Sequence, residues 1–561
     1  MRGKSNGRLT LRAAARGVCL ITAVLGLAAC GGKSSSNGSS SSYTVGGSIS
    51  GLNASSVVLI YNDSNTLTVS EGATTWVFAT SFASGSSYAV SVLTQPIGEL
   101  CEVTGGASGT LTANVTNVTV VCSVYGQWTW EGGLNSVNAS GVYGTQGAAS
   151  ASNAPGARYE SSSWSDSSGT FWLFGGDGYD STGSTGDLND LWQYSPSTGQ
   201  WIWVSGGNGD NASGVYGTPG IGAAGNVPGG RYSASSWTDS SGNLWLFGGY
   251  GYDSTGGVGR LNDLWQYNPS IGLWTWFSGG NADNATGIYG TQGTASAGNV
   301  PGARYSASSW IDSSGNLWLF GGVGYASTGG AGSLNDLWRY SPSTRQWTWV
   351  SGGNADDAAG VYGTQGSAAA SNLPGARQAA NTWIDSSGNL WLFGGYGYDA
   401  AGAAGYLNDL WQYSPSTGLW TWVSGGIVDN ASGIYGTQGT ASVGNVPGAR
   451  YSASSWIDLS GNMWLFGGYG YDSTGGVGAL NDLWLYSPST GIWTNVSGGS
   501  GDNSGGAYGT QGTVAASTTP GARQAANSWI DSSGHLWLFG GAGYGASGNG
   551  YLNDLWQFVP P

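Results

Sequence analysis

Five letters, Leu-Asn-Asp-Leu-Trp, recur six times in this chain, with the Trp at 192, 265, 338, 411, 484 and 556. A second phrase, Pro-Gly-Ala-Arg or Pro-Gly-Gly-Arg, places Arg at 158, 231, 304, 377, 450 and 523, always 73 residues apart. Self-similarity at a fixed period means that one supersecondary unit cannot bury its apolar side alone and stacks on its neighbours. From about residue 126 onward the chain is therefore an assembly of six copies of one motif.

Each copy contains four strand-like pieces. In the third they read RYSASSWID, NLWLFGG, LNDLWRYSP and QWTWVSG, with the turn signals SSG and SPSTR between the outer pairs. The chain has 105 Gly in 561 residues, yet also 30 Trp and 30 Tyr. Disordered segments are poor in large aromatics, so Gly with regularly spaced rings points to short strands and tight turns. A Gly pair ending the second strand, then Tyr340 and Trp347 seven apart, resembles the kelch repeat, which is also the repeat of the galactose-oxidase central domain. The resemblance implies an all-β fold: a six-bladed kelch-type β-propeller over 126–561. The period exceeds that of an ordinary kelch unit, and the excess lies in one loop.

The last copy ends at Pro561 without its WTWVSGG. In five copies, Trp192 and its equivalents precede the Trp of that phrase by nine residues. An isolated GQWTWEGG stands at 126–133, and its Trp128 lies 73 before Trp201. This phasing predicts that the N-terminal strand supplies the fourth strand of the last blade. Such a join removes exposed sheet edges, which invite aggregation.

Upstream the text changes. Residues 1–29 carry Arg2, Lys4, Arg8, Arg12 and Arg16, then an apolar run too short to span a bilayer as a helix. Leu27-Ala28-Ala29-Cys30 resembles a bacterial lipobox, which implies cleavage before Cys30, a lipid on its sulfur, and an envelope location at the outer membrane or cell surface. Residues 30–42, rich in Ser and Gly, read as a flexible tether. Residues 43–124 alternate apolar and polar residues with no helix signal and read as a small β-sandwich. Cys101 and Cys122 are expected to form a disulfide in an exported chain, worth roughly 3 kcal/mol.

Long irregular connections carry binding more often than tight turns do. In an up-and-down sheet both long loops fall at one end, exemplified by the stretches from Asn354 and from Val323. Each copy repeats two Tyr there, at 143, 216, 289, 362, 435 and 508 and at 179, 252, 325, 398, 471 and 544. Sixfold identity reads as loops pinned in place. The six Arg (Arg158, Arg231, Arg304, Arg377, Arg450, Arg523) admit two readings. They form a ring of bidentate donors for an anionic ligand, or each is a stitch to the Asp of its Leu-Asn-Asp phrase. Gln378 and Gln524 replace Tyr, and Asn381 and Asn527 replace Ser, in two copies. Glu160 stands where the others have Ser or Ala. These departures are candidate ligand contacts at the mouth. Trp192, Trp201 and their equivalents read as core between blades. The loops around Asp253 and Asp399 offer oxygen ligands for Ca²⁺ but lack the dense Asp spacing of a calcium loop; no other cofactor is expected.

The inventory narrows the chemistry. Galactose-oxidase activity would imply copper held by two His and two Tyr, with one Tyr bonded to a Cys. This chain has one His, at 535, and no Cys after Cys122. His535 replaces an Asn of the SSGN turn and reads as a surface variant. With no Lys after Lys33, Schiff-base and P-loop chemistry are excluded. A formal charge of −15 argues against a nucleic-acid surface. The expected function is binding of a protein or glycan partner through the long-loop end, with a carbohydrate-active enzyme (mutarotase-like or glycan-cleaving) or a structural envelope protein as alternatives.

Overall fold

The computed structural model describes residues 41–561 except 53, 54, 63, 95, 97, 98, 125, 516 and 561. The proposed signal peptide, Cys30 and nearly all of the tether lie outside the described residues. Within them the molecule is all-β, without an α-helix, and no helix is long and apolar enough to cross a membrane.

The N-terminal module has two four-stranded sheets. One runs Thr75–Val77, Val45–Ser50, Val115–Val124, Glu99–Gly105, with its middle pair parallel. The other contains Asn65–Val69, Val57–Tyr61, Ser87–Thr94 and Ser108–Thr110. Alternation along the strands buries Val45, Val57, Leu59, Val118 and Val120 between the sheets. Cys101 and Cys122 face each other on adjacent antiparallel strands and are disulfide-bonded.

From Trp128 on, four-stranded antiparallel sheets repeat in a manner compatible with a β-propeller. In the second copy they are Ser235–Thr238, Leu244–Tyr252, Val258–Asn268 and Leu273–Ser278, each paired with the next. The sixth copy has three strands of its own, and Trp128–Gly132 pairs antiparallel with Asn549–Phe558, placing Trp130 opposite Trp556. The Thr518 hydroxyl also donates to the Trp128 carbonyl.

The core lies between sheets, not within one. Successive residues of Leu244-Trp245-Leu246-Phe247 point to opposite faces. Leu244 and Leu246 pack against Trp164 and Trp172 of the first copy, while Trp245 and Phe247 pack against Leu317 and Trp338 of the third. Both faces are covered, so the second strand is apolar throughout rather than alternating. The sixth copy packs on the first in the same way, through Trp529, Trp537 and Phe539 against Phe171 and Trp201. Trp164 Nε1 donates to the Trp245 carbonyl at 3.0 Å, and the Trp529 Nε1 to the Trp172 carbonyl at 3.3 Å.

The first strand departs from the single piece that the sequence suggests. It is split, as in Arg304–Tyr305 and Ser308–Ile311, by Ser306 at φ 52°. Its equivalents Glu160, Ser233, Ala379, Ser452 and Ala525 are also left-handed, with φ between 51° and 55°. This turn aims each amide at the copy before it. Ser233 donates to the Glu160 carbonyl, Ser306 to Ser233, Ala379 to Ser306, Ser452 to Ala379, Ala525 to Ser452 and Glu160 to Ala525, at 2.7–3.1 Å. The Gly pair is needed for a related reason. A Cβ on Gly248 (φ 64°) would stand 2.7 Å from the Arg304 carbonyl oxygen of the next copy.

Candidate functional site

The six repeated arginines are fixed by identical chemistry. Arg304 Nε donates to the Gly302 carbonyl, Nη1 to the Gly321 carbonyl and to Asp336 Oδ1 at 2.7 Å, and Nη2 to Asp336 Oδ2 at 2.8 Å. The Tyr289 hydroxyl and Trp338 Nε1 donate to the same Oδ2 at 2.6 and 2.7 Å. Burial opposes the charge on Arg304, but the Asp336 carboxylate outweighs it and holds the guanidinium pKa above its ordinary value. The same pairs form at Arg158–Asp190, Arg231–Asp263, Arg377–Asp409, Arg450–Asp482 and Arg523–Asp554, all with side chains at most 1% exposed. These guanidiniums therefore present no donor to open space; they take the stitched arrangement, not that of a mouth. The Tyr of the first long loop is the third member of each stitch, donating also from Tyr143, Tyr216, Tyr362, Tyr435 and Tyr508.

One residue further along, the copies diverge. The residue after each Arg faces a residue on the second strand, which faces one on the third. These three abreast are Tyr159, Asp177 and Asp187 in the first copy, and Tyr232, Tyr250 and Arg260 in the second. They are Tyr305, Val323 and Ser333 in the third, and Gln378, Tyr396 and Tyr406 in the fourth. The fifth has Tyr451, Tyr469 and Ala479, and the sixth Gln524, Ala542 and Tyr551. Directly opposed residues of antiparallel strands share a sheet face, so each row is a small surface. The rows lie where the long connections leave the sheets.

Neighbouring rows touch. The Tyr551 ring lies 4.8 Å from Tyr159, and both hydroxyls reach Asp177 Oδ2, at 3.5 and 3.4 Å. Tyr406 stacks on Tyr451 at 5.7 Å and 27°, with Tyr469 at 6.2 Å. Glu160 Oε2 accepts from the Ser233 hydroxyl at 2.6 Å. Three carboxyls of the first copy are pushed up. Burial raises Glu160, with Asp177 adding to it. Burial raises Asp177 as well. Asp187 is pushed up to about 7 by burial, then by the charges of Asp177 and Asp210. Glu160 adds to the burial that raises Tyr232 and Tyr451, so its charge is felt across several copies.

The other expected contacts are placed as follows. Gln378 and Gln524 are half-buried members of the rows, and the Gln524 Oε1 is buried without a partner. Asn381 and Asn527 are buried and donate to the Ala453 and Ser161 carbonyls of the neighbouring copies, at 2.5 and 2.8 Å, where Ser does so elsewhere. His535 is half-buried in its turn: Asp531 Oδ2 lies 3.0 Å from its Nδ1, and this hydrogen bond raises its pKa. Asp253 Oδ1 is occupied by the Thr255 amide, the Thr255 hydroxyl and the Gly257 amide. Among the described residues no cluster of metal-ligating side chains is found.

Reading the repeats one by one singles out Glu160, Gln378, Gln524, Asn381 and Asn527; Asp177, Asp187 and Arg260 escape notice. The signal is present in two columns, GG-x-GY and G-x-LND, whose variable residue reads Asp, Tyr, Val, Tyr, Tyr, Ala and Asp, Arg, Ser, Tyr, Ala, Tyr within nearly constant surroundings. The chain matches no family model, and no curated protein matches it.

Proposed function

We propose that the chain is a lipid-anchored protein of a bacterial envelope whose six sheets close into a six-bladed propeller, with Trp128–Gly132 as the outermost strand of the last blade, and that it binds a saccharide at the mouth formed by the six rows. Closure is supported by the packing of the sixth copy on the first and by the amide series that returns from Ala525 to Glu160. The single observation that carries the binding reading is the variety of the rows beside the constancy of the stitches. The six stitches are the same, and the core changes mostly among apolar residues at a few positions, such as Phe171 and Met463 for Leu, whereas the rows differ six times. A scaffold without a ligand has no use for six unlike rows at one end. Tyr supplies an apolar ring face and a polar tip, and carboxyl, amide and guanidinium groups beside such rings suit a polyhydroxylated ring. Pockets of this kind combine aromatic walls with few polar groups.

The test is a glycan array with the full chain, followed by Tyr406→Ala and Tyr451→Ala. Binding that both substitutions weaken at least tenfold supports the reading; array binding insensitive to both overturns it. Anchoring is tested with Cys30→Ala, which should abolish palmitate labelling.

A second reading is catalytic, favoured by Asp187. A carboxyl held near neutrality beside Asp177 meets the requirement of a general acid. Loss of a glycan-cleaving or mutarotating activity in Asp187→Asn would support it.

A further inference from the structure

Arg260 is unlike every other cation near the rows. The six stitched arginines each have an Asp. The ion pairs among the described residues are those six and His535–Asp531, so Arg260 has none. Its guanidinium carbon sits 5.6 Å from the centre of the Tyr305 ring and 5.4 Å from that of Tyr325, both in the next copy. Its Nε is buried without a partner. Asp283, an acid of its own copy, lies against Gly259. Period-two alternation puts that residue on the opposite face of the strand from Arg260.

A guanidinium held between two rings has its orientation fixed before any ligand arrives. It has also lost part of its hydration without gaining a counter-charge. Cation–π contact offsets this by about 0.5–2 kcal/mol; the guanidinium also reaches the Tyr305 side chain as a hydrogen-bond donor, while Nε remains a donor without a partner. Planar paired donors match the two oxygens of a carboxylate or sulfate, and charge-assisted bonds of this kind are roughly twice as strong as neutral ones.

We propose that Arg260, set between Tyr305 and Tyr325, is an oxyanion-recognition site, and that the saccharide accepted at the mouth carries a carboxylate or sulfate placed there. The saccharide part rests on the reading above; the oxyanion part rests on Arg260 alone. Glu160, Asp177 and Asp187 give the adjoining first copy the opposite polarity. The anionic group is therefore accepted at the boundary of the second and third copies and repelled at the first, which fixes the ligand's direction across the mouth. Sequence alignment of the copies could have raised Arg260, because Asp, Ser, Tyr, Ala and Tyr stand in its column.

The experiment uses the full chain and Arg260→Gln, with melting curves showing that both are folded. Binding is measured to a uronate-containing oligosaccharide, a sulfated one and their neutral counterpart. The parent should prefer one acidic form at least tenfold. Arg260→Gln should abolish that preference by weakening the acidic form at least tenfold more than the neutral form, and raised salt should weaken the acidic ligand more than the neutral one. The better of the two acidic forms identifies the group. Glucuronate and inorganic sulfate are then titrated alone, read by tyrosine and tryptophan fluorescence, which should respond in the parent and not in Arg260→Gln. Response to these small oxyanions without binding of any oligosaccharide would leave the oxyanion site standing and remove the saccharide. Equal responses in parent and variant, or no response with either class of probe, would overturn the proposal.

Discussion

Arg304 and Tyr305 are neighbours in the chain, yet they belong to two different regions. Arg304 has the same partners as its five equivalents, at nearly the same distances. Tyr305 begins a row whose composition recurs nowhere else. The difference shows how a repeat protein divides its labour. A buried ion pair tolerates no change because removing either member strands a charge in a dry interior. Most row residues are only partly buried and carry no ion pair, so their replacement costs less and they are free to specialise.

The largest effect should come from breaking the equivalence of the copies themselves. Deleting 126–133 removes Trp128, whose loss alone would cost about 3–5 kcal/mol, and leaves the strand Asn549–Phe558 unpaired on one side. The expected result is aggregation or loss of the cooperative thermal transition, followed by light scattering and calorimetry. A deletion variant as stable as the parent would show that the first and sixth copies do not depend on this join.

The next effect sharpens the contrast between stitch and row. Arg304→Ala leaves Asp336 buried and unpaired and should cost about 3–5 kcal/mol. Arg450→Ala should cost the same within error. Arg260→Ala, the same chemical change in a row, should cost about 1 kcal/mol or less. Denaturant melts of the three decide; a cost at Arg260 equal to that at Arg304 would erase the distinction.

The smallest effect concerns protons. The folded-state pKa of Asp187 lies near 7, above that of an unfolded Asp. Between those values the folded state holds the proton more tightly than the unfolded one. Stability should therefore fall as pH rises from about 4 to about 7. Asp187→Asn should flatten that part of the profile and raise the melting temperature at pH 8. An unchanged slope would place the titration elsewhere, Asp177 and Glu160 being the neighbours also pushed up.

The period of 73, the four strands per copy and the Arg and Asp of each stitch are all legible in the sequence, because identical partners must be repeated wherever identical packing is repeated. The phase of Trp128 with Trp201 likewise foretells the pairing of Trp128–Gly132 with Asn549–Phe558. Adjacency across copies is not legible. Nothing in the text says that Ser306 is left-handed, that its amide is given to Ser233, or that Tyr159, Asp177 and Asp187 lie abreast. Sequence fixes which residues recur, since recurrence is a property of the chain. Which of two readings a recurring Arg takes depends on whether water can reach it, and solvent access is decided only when the neighbouring sheets are packed around it. The same packing turned scattered substitutions in two columns into a surface, with Arg260 as the cation on it left without an acid.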